Sequence, residues 1–276
     1  MGENKNLIKN DGETVPHQQP LSLSEELRRE NFGLQHHAPE DFLRSQWQSG
    51  LTSRWFLGYR WLLGIFFGTG VISCLAKYHH NGRWFIYLTD WGFLLCGITS
   101  VSGAILVTIH HWNPQRMGER FRNNWQIKAY WVCYWINLIF ANVIALVYWT
   151  CIYPQDRDPS NPAYFTDLYN IWTHALPPIF FTVDHLIVAQ PTRLLHFVYP
   201  LAFGWLYTGF TFIYYVMGGL DLKGRRYIYN VLNYSKPREA LFTIGAISAL
   251  SVVVSTLHYG VYRLRTFLAR KLGKLQ

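Results

Sequence analysis

The sequence predicts an all-α protein, a polytopic membrane helix bundle of about six transmembrane helices with both termini cytoplasmic. Three observations carry this expectation. Six apolar stretches follow one another between residues 54 and 264, each near the ~20 residues that a spanning helix needs. Only 15% of the residues are charged, against about 25% in a soluble domain. Twelve Trp and 18 Tyr supply rings for the two membrane–water interfaces. The mean hydropathy of +0.02 does not oppose this reading, because the polar first 50 residues and the loops dilute the spans.

Residues 1–50 read as a polar, largely disordered cytoplasmic tail with Pro16, Gln18, Gln19 and Pro20 among mixed charges. No early apolar run is present, so no cleaved signal peptide is expected. Gly2 follows Met1, but Asn6 stands where a myristoylation motif wants Ser or Thr. Ser22 and Glu25 have the spacing of a capping box for one short helix. Pro39–Trp47 fits an interfacial helix with Phe42, Leu43 and Trp47 toward lipid.

The bundle occupies residues 51–266, with spans at about Arg54–Tyr78, Trp84–Trp112, Lys128–Tyr153, Tyr164–Ala189, Leu195–Gly218 and Glu239–Leu264. The first carries Gly64 and Gly68 at GxxxG spacing, a packing signal that lets backbones approach closely. Residues 267–276 form a basic cytoplasmic tail. Orientation follows from Lys and Arg in the flanks: twelve lie on the side of the two chain ends and eight on the other. The loop after the fifth span dissents with five positive charges, and it holds the one N-glycosylation sequon, Asn233-Tyr234-Ser235.

A net charge of +9 suits contact with an anionic membrane surface. No Lys/Arg stripe interleaved with aromatics runs along a soluble segment, so nucleic acid is not an expected partner. Cys74, Cys96, Cys133 and Cys151 lie in or at the ends of apolar stretches without zinc-site spacing, which reads as buried free thiols. No P-loop, GxGxxG, GxSxG or HExxH motif occurs in a suitable element, and no cofactor is expected. His110, His111, His185 and His258 lack the close spacing of a metal site. A channel or transporter would show paired broken helices in matching halves, and none is apparent.

The chemistry concentrates in Tyr169–Pro200, where His174, Asp184 and His185 stand inside an apolar run. A charged group at the bilayer centre costs roughly 2.5–3.5 kcal/mol on insertion scales, so such residues point to function. Pro177 and Pro178 break helical hydrogen bonding one turn after His174. Thr89 lies about 7–8 Å into the second span and His174 about 15 Å into the fourth, both in the outer half. A hydroxyl and an imidazole at matching depth are what nucleophilic catalysis needs, with His taking the proton as the Thr oxygen attacks a carbonyl. The plainer reading has Thr89 bonding its own backbone carbonyl and His174 bonding a neighbouring helix. Asp90 reads either as an orienting group or headgroup ligand, or as an interfacial carboxylate at the helix start. Asp184 rises some 15 Å beyond His174, too far for a dyad, and reads as a structural partner of Arg193 or His196.

Arg193–Gly219 (RLLHFVYPLAFGWLYTGFTFIYYVMGG), Arg225–Pro237 (RRYIYNVLNYSKP) and Tyr87–Leu95 (YLTDWGFLL) resemble the rolling stone family, multi-pass membrane proteins linked to myoblast fusion in insects. The resemblance covers roughly Gln46 to Tyr262. More distantly, YLTDWG and HALPPIFFTVD are similar to segments of the androgen-induced and androgen-dependent membrane hydrolases. Those enzymes cleave fatty-acid esters of hydroxy fatty acids with an intramembrane Thr and His. The resemblance implies catalytic roles for Thr89 and His174, with membrane lipid esters as substrate and no cofactor. Gly92 stands where the hydrolases have Asn, the proline is doubled and shifted, and Asp90 places a carboxylate beside the nucleophile position. The other function expected from the resemblance is a non-catalytic one, in cell–cell fusion through protein partners.

Overall fold

The structure, a computed structural model, describes residues 20–36, 38–114, 125–156 and 168–274. It is a bundle of α-helices; among the described residues the nearest approach to a strand is one isolated bridge between Ser45 and Val188. After a short α1 (Leu23–Glu26) come α2 (Arg54–Tyr78), α3 (Leu88–Trp112) and α4 (Trp125–Val147). The fourth apolar run is a broken helix, α5 (Leu168–His174) and α6 (Leu176–Ile187), and α7 (Val198–Val216) and α8 (Pro237–Lys271) complete the bundle.

Among the described residues, four helices are long and apolar enough to cross a membrane: α2, α3, α4 with its continuation to Ile152, and α8. Their outward faces carry large apolar side chains, among them Ile65, Ile72, Ile105, Leu146, Phe242 and Leu257. In water such patches would be a liability, whereas in lipid they are solvated. Helix association in lipid depends on close packing rather than on apolar burial alone. The α2–α3 pair achieves it with glycine. A Cβ on Gly64 would stand 3.4 Å from Ala104 Cβ, and one on Gly97 would stand 2.9 Å from Val71 Cγ2. The Gly64 packing signal is therefore used, and Gly68 meets Val101 in the same seam. Helix α4 is the axis of the core: Trp131, Tyr134, Trp135, Leu138 and Ile139 are all buried against the surrounding helices.

The expected spans differ from the helices where local chemistry intervenes. The second helix starts at Leu88 rather than Trp84, because Asn81 (φ 56°) and Gly82 (φ 85°) turn the chain through left-handed backbone first. The fourth breaks at Ala175, since Pro177 and Pro178 donate no N–H to continue it. The sixth runs past Leu264 to Lys271. At 35 residues it is about 52 Å long, more than the ~30 Å hydrocarbon core.

The segment from Pro20 to Gly50, part of the expected tail, packs across one end of the bundle. Ser22 and Glu25 form the expected capping box. Phe42 and Leu43, expected to face lipid, are instead buried in the protein core, Phe42 against Trp131. The reason is backbone pairing: Gln46 N donates to Ile187 O (2.8 Å) and Ala189 N to Arg44 O (3.0 Å), which draws the segment inward. Trp47 Nε1 donates to Leu186 O at 2.8 Å. The far end of the chain reaches the same place, with Lys274 Nζ 2.8 Å from Ser49 Oγ and Arg263 donating to Leu21 O at 2.7 Å.

Asp184 corrects an expectation. Its partner is neither Arg193 nor His196 but Arg60 on α2, whose Nη1 reaches both carboxylate oxygens at 2.9 and 3.0 Å. Tyr59 donates to the same carboxylate at 2.9 Å, and Tyr130 bonds Arg60 from α4. Arg193 lies instead 3.9 Å from Glu26. A buried charge needs such neutralisation and hydrogen bonding to be tolerated.

Candidate functional site

At the end of the bundle away from the Pro20–Gly50 segment, the break after His174 and the start of α3 meet. Tyr87 is the extended residue that opens α3, so Thr89 stands in the first turn, where no helical carbonyl lies four residues back. The consequence is visible by comparison. Thr69, Thr108, Thr150 and Thr208 each donate to the carbonyl four residues earlier in their own helices. The corresponding carbonyl for Thr89, that of Phe85, accepts from Trp91 Nε1 at 2.6 Å instead. The Thr89 hydroxyl is left to face α5, and its Oγ1 lies 3.3 Å from His174 Nε2.

The other face of the imidazole fixes its tautomer. Nδ1 lies 3.1 Å from the Asn170 carbonyl and 2.9 Å from Thr173 Oγ1. The Thr173 hydroxyl proton is committed to Tyr169 O at 2.8 Å. A carbonyl only accepts, so in the neutral ring Nδ1 carries the proton and Nε2 presents its lone pair to Thr89. That is the arrangement a general base requires. The ring plane is held by Tyr148, stacked at 3.5 Å between centroids and 18° between planes. Tyr148 opens a π-helical turn, Tyr148–Ile152, at the end of α4. Such single-turn widenings recur at functional sites because they re-aim side chains.

Tyr229, from the loop between α7 and α8, completes the contact set. Its oxygen accepts from Leu88 N at 3.0 Å and lies beside the Thr89 hydroxyl and amide. Burial pushes the phenol above its ordinary value, and the nearby Asp90 carboxylate adds to this, so Tyr229 stays protonated. The N-terminus of α3 and the Tyr229 hydroxyl together offer donors and positive potential next to Thr89 Oγ1.

Thr89 sits on the boundary of two spaces. One is a cavity of about 370 Å³ lined by His174, Asp90 and several aromatic rings. The other is a narrow apolar slot among Phe140, Ile144, Pro200, Gly204, Ile244 and Ile247. Thr89, Tyr148, Ile152 and Tyr229 line both. Gly92, one turn below Thr89, approaches α4 so closely that a Cβ there would stand 2.8 Å from Ile144 Cδ1.

The family model described as "Protein rolling stone" matches residues 18–275. The chain belongs to the rolling stone family. The Drosophila melanogaster protein named rolling stone is 33% identical over 257 residues, 90% of this chain and 92% of its own length. No solved structure matches the chain. Every described helix of this rolling stone family member lies inside the matched region, as do Thr89 and His174.

Three of the histidines weighed for a metal site are engaged elsewhere. His110 lies 3.2 Å from Leu51 O, His185 donates to His258 O at 3.0 Å, and Asn142 Nδ2 lies 3.2 Å from His258 Nε2. Among the described residues no group of three His, Cys, Asp or Glu is placed to hold a metal ion. Tyr148, Asn170, Thr173 and Tyr229 were not anticipated from sequence. The one available signal was that Tyr229 falls in RRYIYNVLNYSKP, a stretch marked by the family resemblance.

Proposed function

We propose that this rolling stone family protein is an intramembrane hydrolase of lipid esters, with Thr89 as nucleophile and His174 as general base and acid. The observation that carries the proposal is the Thr89–His174 contact at 3.3 Å, on the nitrogen whose tautomer leaves it free to accept a proton. The Thr89 oxygen attacks the acyl carbonyl carbon while its proton passes to His174 Nε2. The carbonyl oxygen, now anionic, is met by the Tyr229 hydroxyl and the start of α3. Collapse expels the alcohol, which takes the proton from Nε2 and leaves an acyl ester on Thr89. Water entering by the cavity loses a proton to Nε2 and attacks that ester. Fatty acid leaves and the proton returns to Thr89. The apolar slot beside Thr89 suits the acyl chain, and the more polar cavity suits the alcohol and water.

In the same reading the chain crosses the bilayer six times with both ends in the cytoplasm, the broken α5–α6 and α7 supplying the fourth and fifth crossings. The contact of Lys274 with the segment that precedes α2 and the Lys/Arg asymmetry support this.

The test is release of free fatty acid by membranes carrying equal amounts of wild type, Thr89→Ala, Thr89→Ser or His174→Ala. Substrates are a fatty-acid ester of a hydroxy fatty acid and uncharged lipid esters. Activity should vanish in both Ala variants and persist in Thr89→Ser, which keeps the hydroxyl. Absence of wild-type activity on every ester would sink the proposal and favour the non-catalytic role in cell–cell fusion through protein partners.

A further inference from the structure

The cavity beside Thr89 has a composition that ester hydrolysis alone does not call for. Its wall includes the rings of Tyr78, Trp84, Tyr87, Tyr148, Tyr169 and Tyr229. Into the same space face Asp90, the residue after Thr89, and the imidazoles of His80 and His174, and among the described residues no Lys or Arg lines the cavity. Among the described residues, no hydrogen-bond donor or cation is placed on the Asp90 side chain, so this half-buried group gains a counter-charge only from what binds in the cavity. Two of these rings already accept a cation: Lys77 Nζ lies 4.5 Å from the Tyr169 centroid and 5.1 Å from that of Tyr78. Aromatic walls around one carboxylate are the surroundings in which a quaternary ammonium is stabilised, because ring faces and the anion attract it without needing N–H donors. The same surroundings repel a second carboxylate.

We infer that the cavity is a quaternary-ammonium site, and that the preferred ester carries its cation on the alcohol, a few bonds from the ester oxygen, as in a long-chain acylcholine. The inference rests on the hydrolase reading for the reaction but not for binding. Asp90 and Thr89 are consecutive in the first turn of α3, so the cation is held within a few ångströms of the carbonyl that Thr89 attacks. The acyl chain lies in the slot at Gly204 and Ile247, and the ammonium lies among the rings. Hydrolysis then consumes one water and releases a fatty acid and a cationic amino alcohol.

Two measurements test this. The first compares kcat/KM for palmitoylcholine and for 3,3-dimethylbutyl palmitate, in which a neutral carbon replaces the ammonium nitrogen. Wild type should favour the choline ester by at least ~10-fold, and Asp90→Asn should bring the ratio toward one. Equal rates in the wild type would overturn the inference while leaving the hydrolase proposal standing. The second measures binding of the non-hydrolysable hexadecyl ether of choline against its neutral isostere, by tryptophan fluorescence in lipid nanodiscs. It is performed on wild type, Thr89→Ala and Asp90→Asn. Binding at least ~10-fold tighter for the cation in wild type and Thr89→Ala, and lost in Asp90→Asn, supports the site even if no ester is hydrolysed. Equal binding of ether and isostere by wild type overturns it.

Discussion

Thr89 and His174 acquire their proposed roles from what each is denied locally. Thr89 has no helical carbonyl four residues back, and His174 commits Nδ1 to Asn170 O, so the hydroxyl and Nε2 are left for each other. Tyr229 sits at the same point with its oxygen accepting from Leu88 N, which leaves its hydroxyl proton for a developing oxyanion. Tyr229→Phe should therefore lower kcat on the order of 10²-fold while changing KM little, measured on any ester the wild type hydrolyses. A change confined to KM would assign Tyr229 to substrate binding instead. Gly92, where the resembling hydrolases carry Asn, is explained by contact: Ile144 occupies the space a side chain would need.

The broken helix α5–α6 is the element on which the site depends. Pro177 and Pro178 end the first half after His174 and open the second, and the imidazole is thereby set at a helix end rather than along a continuous face. Proline in a helix interior costs about 3 kcal/mol relative to alanine. The double replacement Pro177→Ala/Pro178→Ala should join the two halves, hold or raise thermal stability in detergent, and abolish ester hydrolysis as His174 turns away from Thr89. Wild-type turnover by the double variant would show that the break is not needed for catalysis. The π-helical turn at Tyr148 is the matching device on α4, placing a ring flat against the imidazole.

Across the whole molecule, polar chemistry is divided between two ends. The cavity end holds Thr89, His174 and Asp90, while the end where the Pro20–Gly50 segment and Lys274 meet holds the ion pairs of Arg60 with Asp184 and of Asp41 with Arg44. Both Arg60 and Asp184 are buried, so removing either leaves an uncompensated charge. Arg60→Ala or Asp184→Ala alone should cost about 3–5 kcal/mol of stability. The paired replacement Arg60→Met/Asp184→Leu should be more stable than either single variant, because it removes both charges and refills the volume. Thermal unfolding in detergent checks this; a double variant as unstable as the sum of the singles would show that the two residues act independently.

The sequence by itself determined the membrane class, the apolar runs, the family and the two residues proposed to react. These rest on local properties: hydropathy over about twenty residues, proline chemistry, and motif stretches at Thr89 and His174. Only the tertiary structure decided which residues surround them. Tyr229 meets Leu88 from 141 positions away, and Arg60 meets Asp184 from 124, separations across which no local pattern sets the pairing. The same holds for Phe42 and Leu43, whose apolar character suited lipid and protein core equally. Backbone pairing with Ile187 and Ala189 chose the core.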